Sequence, residues 1–179
     1  MEAIAANILL EGLAVNALAQ CKSPVTLVTT DSREVCPGCI FVAFPGEKFD
    51  GHDFAAKALE NGALCVVLNH PVEGVPEEKS VICPDSYHAM MVLGANYRSQ
   101  FHPKVVGVTG SVGKTTTKEM LAAVLGAKLR VLKTPENFNN DIGTPLTLLG
   151  LGPEHQAAVI ETGMNHFGEI RYLGEMVRP

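Results

Sequence analysis

The first half of the chain alternates short apolar runs with segments of helical periodicity. Four apolar runs predict β-strands, at 26–28, 40–43, 64–68 and 80–82. Residues 52–61 have the pattern of a helix that ends at Gly62, and Asp85 is placed as the N-cap of a second helix that reaches about Ser99. Strands that alternate with helices predict an α/β layer structure for this half.

The alternation starts again after 100–103, which we predict to be the joint between two domains. In the second half, the predicted strands are 105–109, 130–133 and 157–160. The predicted helices are 115–125, about 145–149, and a third that begins near residue 169. A glycine-rich loop follows the first of these strands, and an asparagine-rich loop, 135–141, follows the second.

These patterns predict two α/β domains, 1–102 and 103–179. The second has the strand, glycine loop and helix that open a doubly wound, mainly parallel P-loop sheet. Such a sheet needs more strands than 103–179 supply if helices are to cover both of its faces. We therefore expect a truncated second domain, with any C-terminal domain absent from the sequence.

The composition is that of an ordinary globular protein, with 46% hydrophobic and 18% charged residues. The net charge of −5, without a basic cluster, argues against nucleic acid as a partner. The apolar start of the chain is interrupted by Glu11 and lacks a basic segment, and no run reaches the roughly 18 residues of a membrane span. We expect a cytoplasmic protein without membrane insertion.

The five cysteines are scattered, unlike a secreted disulfide framework. Cys36 and Cys39 have the C-x-x-C spacing of a redox or zinc motif, but the sequence supplies neither a second ligand pair nor the βαβ context. We interpret Cys36-Pro37-Gly38-Cys39 as a turn. His52 and His166 receive no catalytic role.

The strongest chemical signal is the glycine-rich stretch 107–115, between an apolar strand and an amphipathic helix. Small residues let backbone N–H groups surround phosphates, and the helix N-terminus adds positive charge. Lys114 would reach the β- and γ-phosphates, and the Thr115 hydroxyl would help to hold Mg²⁺. The common pattern has glycine where this chain has Val108, so a glycine-rich turn with a chance lysine is the alternative.

Glu161 is the candidate metal carboxylate. It follows four apolar residues, 157–160, and so falls at the carboxyl end of a buried strand, where open α/β sheets bind ligands. A surface glutamate at a strand end is the alternative.

The loop 109–115 resembles the ATP-binding loop of the Mur ligases, which form the amide bonds of the peptidoglycan stem peptide. The stretch from Asp31-Ser32-Arg33 to 50–54 looks like the UDP-precursor-binding domain of that family. The stretches 137–145 and 161–170 look like those of the member that adds D-alanyl-D-alanine. Position 136 is Glu, where the family pattern leads us to expect Gly.

The resemblance implies a role for individual residues. Lys114 and Glu161 would be catalytic, and Thr115 and Glu161 would hold Mg²⁺. Asn140 would lie near the nucleotide and the reacting carboxylate, and Ser32 and Arg33 near the uridine diphosphate. The ATP-binding loop would comprise Thr109, Gly110, Ser111, Val112, Gly113, Lys114, Thr115 and Thr116. For 31–33, the alternative is a polar turn at the end of a strand. For the asparagine-rich loop, the alternative is side chains that bond their own backbone.

The implied activity is that of an ATP-dependent, ADP-forming ligase of peptidoglycan synthesis, and hence of cell shape and division. It would join D-alanyl-D-alanine to UDP-N-acetylmuramoyl-tripeptide through an acyl phosphate, as a cytoplasmic monomer. The family's histidine metal motif, its modified lysine and its C-terminal domain would follow Pro179. We therefore expect the 179-residue chain alone to be inactive.

Three other functions stay open. One is a sibling ligase, such as the enzyme that adds the third residue, or a folylpolyglutamate synthetase; residues 139–143 argue against both. Another is a P-loop switch without ligase chemistry, which would need a guanine-reading Asn-Lys-x-Asp motif that the sequence lacks. The third is a chain that only binds the UDP-sugar precursor.

Overall fold

A computed structural model describes residues 1–46 and 49–179. The chain folds into two compact α/β units, Ala3–Leu93 and Gly94–Pro179, with Met1 joined to the first and Glu2 to the second. The division falls inside a helix, Ser86–Arg98, whereas the predicted joint at 100–103 comes just after that helix. Within the described residues, no helix is both long and apolar enough to cross a membrane.

The first unit opens with a small antiparallel pair that the sequence did not predict. Strand β1 (Ile4–Ala5) leads into helix α1 (Ala6–Leu9), and strand β2 (Pro24–Val25) pairs with β1. Between α1 and β2, Ala17–Gln20 form a 3-10 turn that is capped by the Asn16 side chain.

A four-stranded parallel sheet follows, with the strands in sequence order. It comprises β3 (Val28–Thr29), β4 (Ile40–Val42), β5 (Cys65–Leu68) and β6 (Ser80–Ile82). Helix α2 (Ala55–Glu60) connects β4 to β5, and helix α3 (Ser86–Arg98) follows β6. The predicted helix 52–61 therefore begins as a 3-10 turn, Gly51–Phe54, and becomes α-helical only at Ala55.

The core of the first unit lies where the sheet packs on α2. Phe41 and Ala43, like Val66 and Leu68, are spaced two residues apart and so share one face of the sheet. The helix presents the small residues Ala55 and Ala58 to the same core, which lets it approach the sheet closely. Every member is at least nine-tenths buried: Cys39, Phe41, Ala43, Ala55, Ala58, Ala63, Val66 and Leu68.

The second unit begins with the last turn of α3. The buried Tyr97 hydroxyl donates to the Leu151 carbonyl at 2.6 Å. Arg98 donates to the Phe101 carbonyl at 2.6 Å and to the Val177 carbonyl at 3.3 Å. These bonds explain why the division between the units falls within the helix rather than after it.

The sheet of the second unit has three parallel strands. They are β7 (Lys104–Val108), β8 (Val131–Lys133) and β9 (Ala157–Glu161), in the order β7-β9-β8. The helices are α4 (Lys114–Gly126) between β7 and β8, α5 (Gly143–Leu148) before β9, and α6 (Glu169–Val177) after it. The two parallel sheets with interleaved helices confirm the predicted α/β class.

The register of the second sheet brings two loops together. Val108, the last residue of β7, lies opposite Glu161, the last residue of the central strand β9. All five residues of β9 are buried. The glycine-rich loop that follows β7 therefore starts beside Glu161, at the sheet edge where ligands bind in folds of this kind.

Candidate nucleotide site

The glycine-rich loop, residues 109–113, leads from β7 directly into α4. Gly110 has φ 147° and Gly113 has φ 76°, which are values that only glycine adopts readily. A Cβ at Gly113 would meet no atom within 4 Å, so the backbone conformation rather than lack of space requires this glycine. Gly113 is also the N-cap of α4 and supplies no side-chain cap. The first N–H groups of α4 thus point toward the loop without a capping side chain, an arrangement that suits an anion.

Lys114 stands at the wall of a cavity in the second unit. Its ammonium donates to the Gly110 carbonyl at 2.8 Å, which holds the side chain back along the loop. The cavity has a volume of about 420 Å³, within the range of small-molecule sites. It is lined by Thr109, Gly110, Ser111, Lys114, Met164 and Ile170.

The Glu161 carboxylate is almost completely buried, with only 1% of the residue exposed. Its Oε1 accepts from the Asn139 side-chain amide at 2.7 Å and from the Thr115 hydroxyl at 3.3 Å. Its backbone N–H donates to the buried Thr134 hydroxyl at 2.9 Å. The structure therefore brings together the two residues, Thr115 and Glu161, that were predicted to share a metal.

The other oxygen of Glu161 faces a buried lysine. Oε2 has no hydrogen-bond partner within the described residues, and the ammonium of Lys118 lies 3.6 Å from it. Lys118 is wholly buried, donates to the Glu136 carbonyl at 2.8 Å, and lies 3.4 Å from Glu119 Oε1.

Sequence reasoning missed Lys118. A signal was present, because Lys118 follows Lys114 by four residues and Thr115 by three, which places all three on one side of α4. A lysine is seldom fully buried unless it is paired, so its burial marks it as part of the site rather than of the solvated surface.

Two asparagines of the asparagine-rich loop make different contacts. Asn140, predicted to lie near the nucleotide, accepts with its Oδ1 from the backbone N–H groups of Gly143 at 2.8 Å and Ile142 at 3.3 Å, so it holds the start of α5. Asn139 instead reaches Glu161. Glu136 has φ 43°, the left-handed region that favours glycine, which gives a physical reason to expect glycine at that position.

The residues assigned to the uridine diphosphate lie in the first unit, in a turn after β3. Arg33 is exposed, with 87% of its side chain accessible, and its guanidinium makes a two-pronged pair with Asp31, Nε to Oδ1 at 2.9 Å and Nη2 to Oδ2 at 2.5 Å. These bonds lower the pKa of Asp31 to about 2. Ser32 is half-buried between them. The role of Ser32 and Arg33 stays a prediction.

Two other features have a structural explanation. Cys36 and Cys39 form a turn, in which the Cys39 N–H donates to the Cys36 carbonyl at 3.1 Å, and burial raises the pKa of the Cys39 thiol. His52 is buried; it bonds Asp50 through Nδ1 at 2.6 Å and accepts the Asn69 N–H at 2.9 Å through Nε2. In 1–46 and 49–179, no three His, Cys, Asp or Glu side chains are grouped to hold a metal.

The site nevertheless fits Mg²⁺. This ion takes hard oxygen ligands, often one or two protein oxygens together with phosphate oxygens and waters. The buried carboxylate of Glu161 has one oxygen next to the Thr115 hydroxyl, and both lie beside the loop that would hold the phosphates. A cluster of three acidic or imidazole ligands is not required for such a site.

Comparison with known proteins supplies the decisive observation. Residues 24–129 match the model of the Mur ligase family catalytic domain, and residues 108–179 match the Mur ligase middle domain. The chain belongs to the Mur ligase family. The family resemblance expected from the sequence motifs is thereby confirmed.

Among individual Mur ligases, the chain is similar to the UDP-N-acetylmuramoyl-tripeptide–D-alanyl-D-alanine ligases. It is 47% identical over 153 residues to that of Escherichia coli and 44% identical over 153 residues to that of Synechocystis. These matches cover 85% of this chain but 33% and 34% of the relatives. The chain therefore spans about a third of the length of the curated relatives it matches.

The chain is also similar to solved structures of such ligases. MurF from Acinetobacter baumannii matches with a TM-score of 0.88 and 38% identity, over 100% of this chain and 40% of that one. The MurF ligase from Thermotoga maritima, solved in complex with ADP, matches with a TM-score of 0.76 and 37% identity, over 83% of this chain and 34% of that one.

Proposed function

We propose that the chain is part of an ATP-dependent, ADP-forming ligase that joins D-alanyl-D-alanine to UDP-N-acetylmuramoyl-tripeptide. The observation that carries this proposal is the buried Glu161 carboxylate beside Thr115, where α4 begins after the glycine-rich loop. The names of its relatives support the choice of substrates. A cytoplasmic, monomeric enzyme of peptidoglycan synthesis is the form we propose.

The chemistry needs no nucleophile from the protein. The terminal carboxylate of the tripeptide attacks the γ-phosphorus of ATP, and ADP leaves with the bridging electron pair. The amine of D-alanyl-D-alanine then attacks the acyl phosphate, loses a proton and expels inorganic phosphate. Both steps depend on positioning and on neutralising charge.

Residues of the second unit would supply this positioning and charge neutralisation. The ammonium of Lys114 would leave the Gly110 carbonyl to neutralise charge on the phosphates, and the N-terminal N–H groups of α4 would hold their oxygens. Thr115 and Glu161 would hold Mg²⁺, which supplies further charge neutralisation when bound. Asn139 keeps Oε1 of Glu161 at the loop through its 2.7 Å bond.

We assign residues 1–102 to precursor binding and residues 103–179 to the first part of the ATP-binding domain. In the first unit, Arg33 uses Nε and Nη2 to hold Asp31, and a guanidinium has five N–H donors in all. It can therefore bind a diphosphate oxygen without releasing Asp31. Ser32, the neighbouring hydroxyl, would donate to the same diphosphate.

The test is an omission experiment on the full-length protein. ADP and product formation are measured with ATP, Mg²⁺, UDP-tripeptide and D-alanyl-D-alanine, and each component is left out in turn. We expect product only with all four. Product from a UDP-dipeptide and a single amino acid would identify a sibling ligase, and ATP hydrolysis that needs neither precursor nor dipeptide would identify a P-loop module without ligase chemistry.

A further inference from the structure

We infer that Lys118 is a positioning residue, which fixes the Glu161 carboxylate so that one oxygen, Oε1, is presented to the metal. The inference deepens the proposed function and rests on it. Lys118 would touch neither ATP nor the metal, and would act through Glu161 and the asparagine-rich loop.

The two oxygens of Glu161 have different neighbours. Oε1 is bonded by Asn139 and Thr115, on the side of the phosphate-binding loop. Oε2 is buried, has no hydrogen bond among the described residues, and lies 3.6 Å from the ammonium of Lys118. A carboxylate held this way cannot rotate to offer both oxygens to one ion without moving Oε2 away from a buried cation. The geometry therefore favours a one-oxygen contact through Oε1.

Because both charges are buried, disturbing this arrangement costs free energy. Lys118 is 0% exposed and Glu161 is 1% exposed, so neither charge is solvated by bulk water. Buried charges persist only where other charges or hydrogen bonds replace that solvation. Three oxygens surround the ammonium, from the Glu136 carbonyl at 2.8 Å, Glu119 at 3.4 Å and Glu161 at 3.6 Å. Glu119 is half-exposed and also pairs with Lys133, so Glu161 is the buried acidic partner of Lys118.

The same ammonium also holds the asparagine-rich loop. It bonds the carbonyl of Glu136, a residue with the uncommon φ of 43°, and three residues later Asn139 bonds Oε1 of Glu161. The loop is thus attached both to Lys118 and to Glu161, and the Asn139 carbonyl also accepts from the Gly163 N–H at 2.7 Å. Loss of the ammonium would release Oε2 and the loop together, and the Oε1 position would no longer be fixed.

The experiment measures Mg²⁺ and nucleotide binding by the full-length protein, separately from turnover. Lys118→Met removes the charge at nearly constant volume, and Lys118→Gln keeps a donor for the Glu136 carbonyl, so that it preserves the fold if the methionine variant does not fold. Calorimetry gives the affinity for ATP in EDTA and at saturating Mg²⁺, and Mn²⁺ titration of the ATP complex by electron paramagnetic resonance gives the metal affinity. Lys128→Met, at an exposed lysine just after α4, is the matched control.

We expect the metal affinity of both Lys118 variants to fall about 10- to 100-fold, the usual loss when a residue that orients a metal ligand is removed. ATP affinity in EDTA should stay within a few-fold of the parent, and Lys128→Met should match the parent throughout. Metal affinity within two-fold of the parent in a folded Lys118 variant would overturn the inference. Equal losses with and without metal would also overturn it, because they indicate a purely structural lysine. A parent protein without Mg²⁺-linked ATP binding would instead refute the proposed function itself.

Discussion

Among single residues, Lys114 has the most direct chemical task in the proposed reaction. It is the one cationic residue in the stretch 107–115, and ATP bound there would bring several negative charges to the loop. Backbone N–H groups can hold the phosphates in the ground state, but the charge that moves toward the leaving oxygen needs a fixed cation. The 2.8 Å bond of its ammonium to the Gly110 carbonyl keeps that cation at the loop.

We predict that Lys114→Ala lowers ADP formation by the full-length protein by on the order of 10²–10³, the usual effect of removing such a stabiliser. Lys114→Arg should fail too, because a planar guanidinium does not replace a compact ammonium in a tight loop. Calorimetric binding of the UDP-tripeptide should stay close to the parent value, since we assign that contact to Ser32 and Arg33. Turnover within a few-fold of the parent would contradict the assignment of the phosphate loop.

Asp50 should make the stability of the first unit depend on pH. Asp50 accepts from the His52 N–H at 2.9 Å and from its ring, and these bonds hold the pKa of Asp50 below its ordinary value. A lowered folded-state pKa stabilises the protein above the unfolded value of about 3.9, and the contribution is lost as the pH falls through the folded value. Because Asp50 is partly exposed and its bonds are screened by solvent, Asp50→Ala should cost about 0.5–1 kcal/mol near neutral pH, the low end for a lost cap.

The measurement is urea denaturation of both proteins across pH. The stability difference between parent and Asp50→Ala should be constant above about pH 5 and shrink as the pH falls below about 3.9. Asp53→Ala, at an exposed aspartate in the same 3-10 turn, serves as the control and should change stability by less than about 0.5 kcal/mol. A difference that grew toward low pH would show that the sign is wrong.

At the level of helices and loops, replacing two glycines with alanine should have opposite effects on stability. Gly126, the last residue of α4, has no atom within 4 Å of an added Cβ, so Gly126→Ala should raise stability by about 0.5–1 kcal/mol. Gly143, the first residue of α5, would bring a Cβ to 2.5 Å from the Phe138 Cα. Backbone must then move, so Gly143→Ala should cost about 1–3 kcal/mol.

Both variants can be followed by chemical denaturation and by ATP binding at saturating Mg²⁺. Because Phe138 precedes Asn139, displacement of the loop at Gly143 should also weaken metal-dependent binding, whereas Gly126→Ala should leave it unchanged. Equal stability of Gly143→Ala and the parent would show that the asparagine-rich loop adapts without strain.

The elements also show which parts of the fold a sequence can reveal. Strands β4, β5, β6, β7 and β9 and helix α4 were predicted within one or two residues, because each combines an apolar run or a clear helical period with glycine or polar boundaries. The β1–β2 pair was missed, because two-residue strands contain no period to detect. Helix α2 begins later than predicted, because Asp50 caps a 3-10 turn first.

Some contacts of the candidate site also leave a pattern in the sequence, and others do not. The proximity of Thr115 and Glu161 follows from a strand, a loop and parallel pairing, all of which leave a sequence pattern. The contacts of Lys118 and Asn139 depend on how α4 packs on the loop before α5, and on the left-handed backbone at Glu136. A lysine within a helix is ordinarily a surface residue, so the spacing from Lys114 and Thr115 indicates the side of α4 on which Lys118 lies but not its burial.

At the scale of the whole molecule, the two proposed binding surfaces lie in two different compact units. The phosphate loop, Thr115 and Glu161 lie in Gly94–Pro179, and the turn with Ser32 and Arg33 lies in Ala3–Leu93. Amide formation needs a third component, a place for the D-alanyl-D-alanine amine next to the acyl phosphate. The features proposed here account for ATP, Mg²⁺ and the precursor, and none of them is assigned to the dipeptide.

We therefore predict that the 179-residue polypeptide binds ATP but forms no amide bond. The ligases it resembles are about two and a half times as long, and catalysis by positioning fails when one reactant is not held. Phosphate release would be measured with ATP, Mg²⁺, UDP-tripeptide and D-alanyl-D-alanine, with the full-length protein as the positive control. Calorimetric ATP binding by the same preparation would show that the polypeptide is folded, and Lys114→Ala in the same polypeptide should weaken that binding. Turnover that depends on all the substrates would mean that this third of the ligase length already holds the dipeptide, and the division of roles proposed here would be wrong.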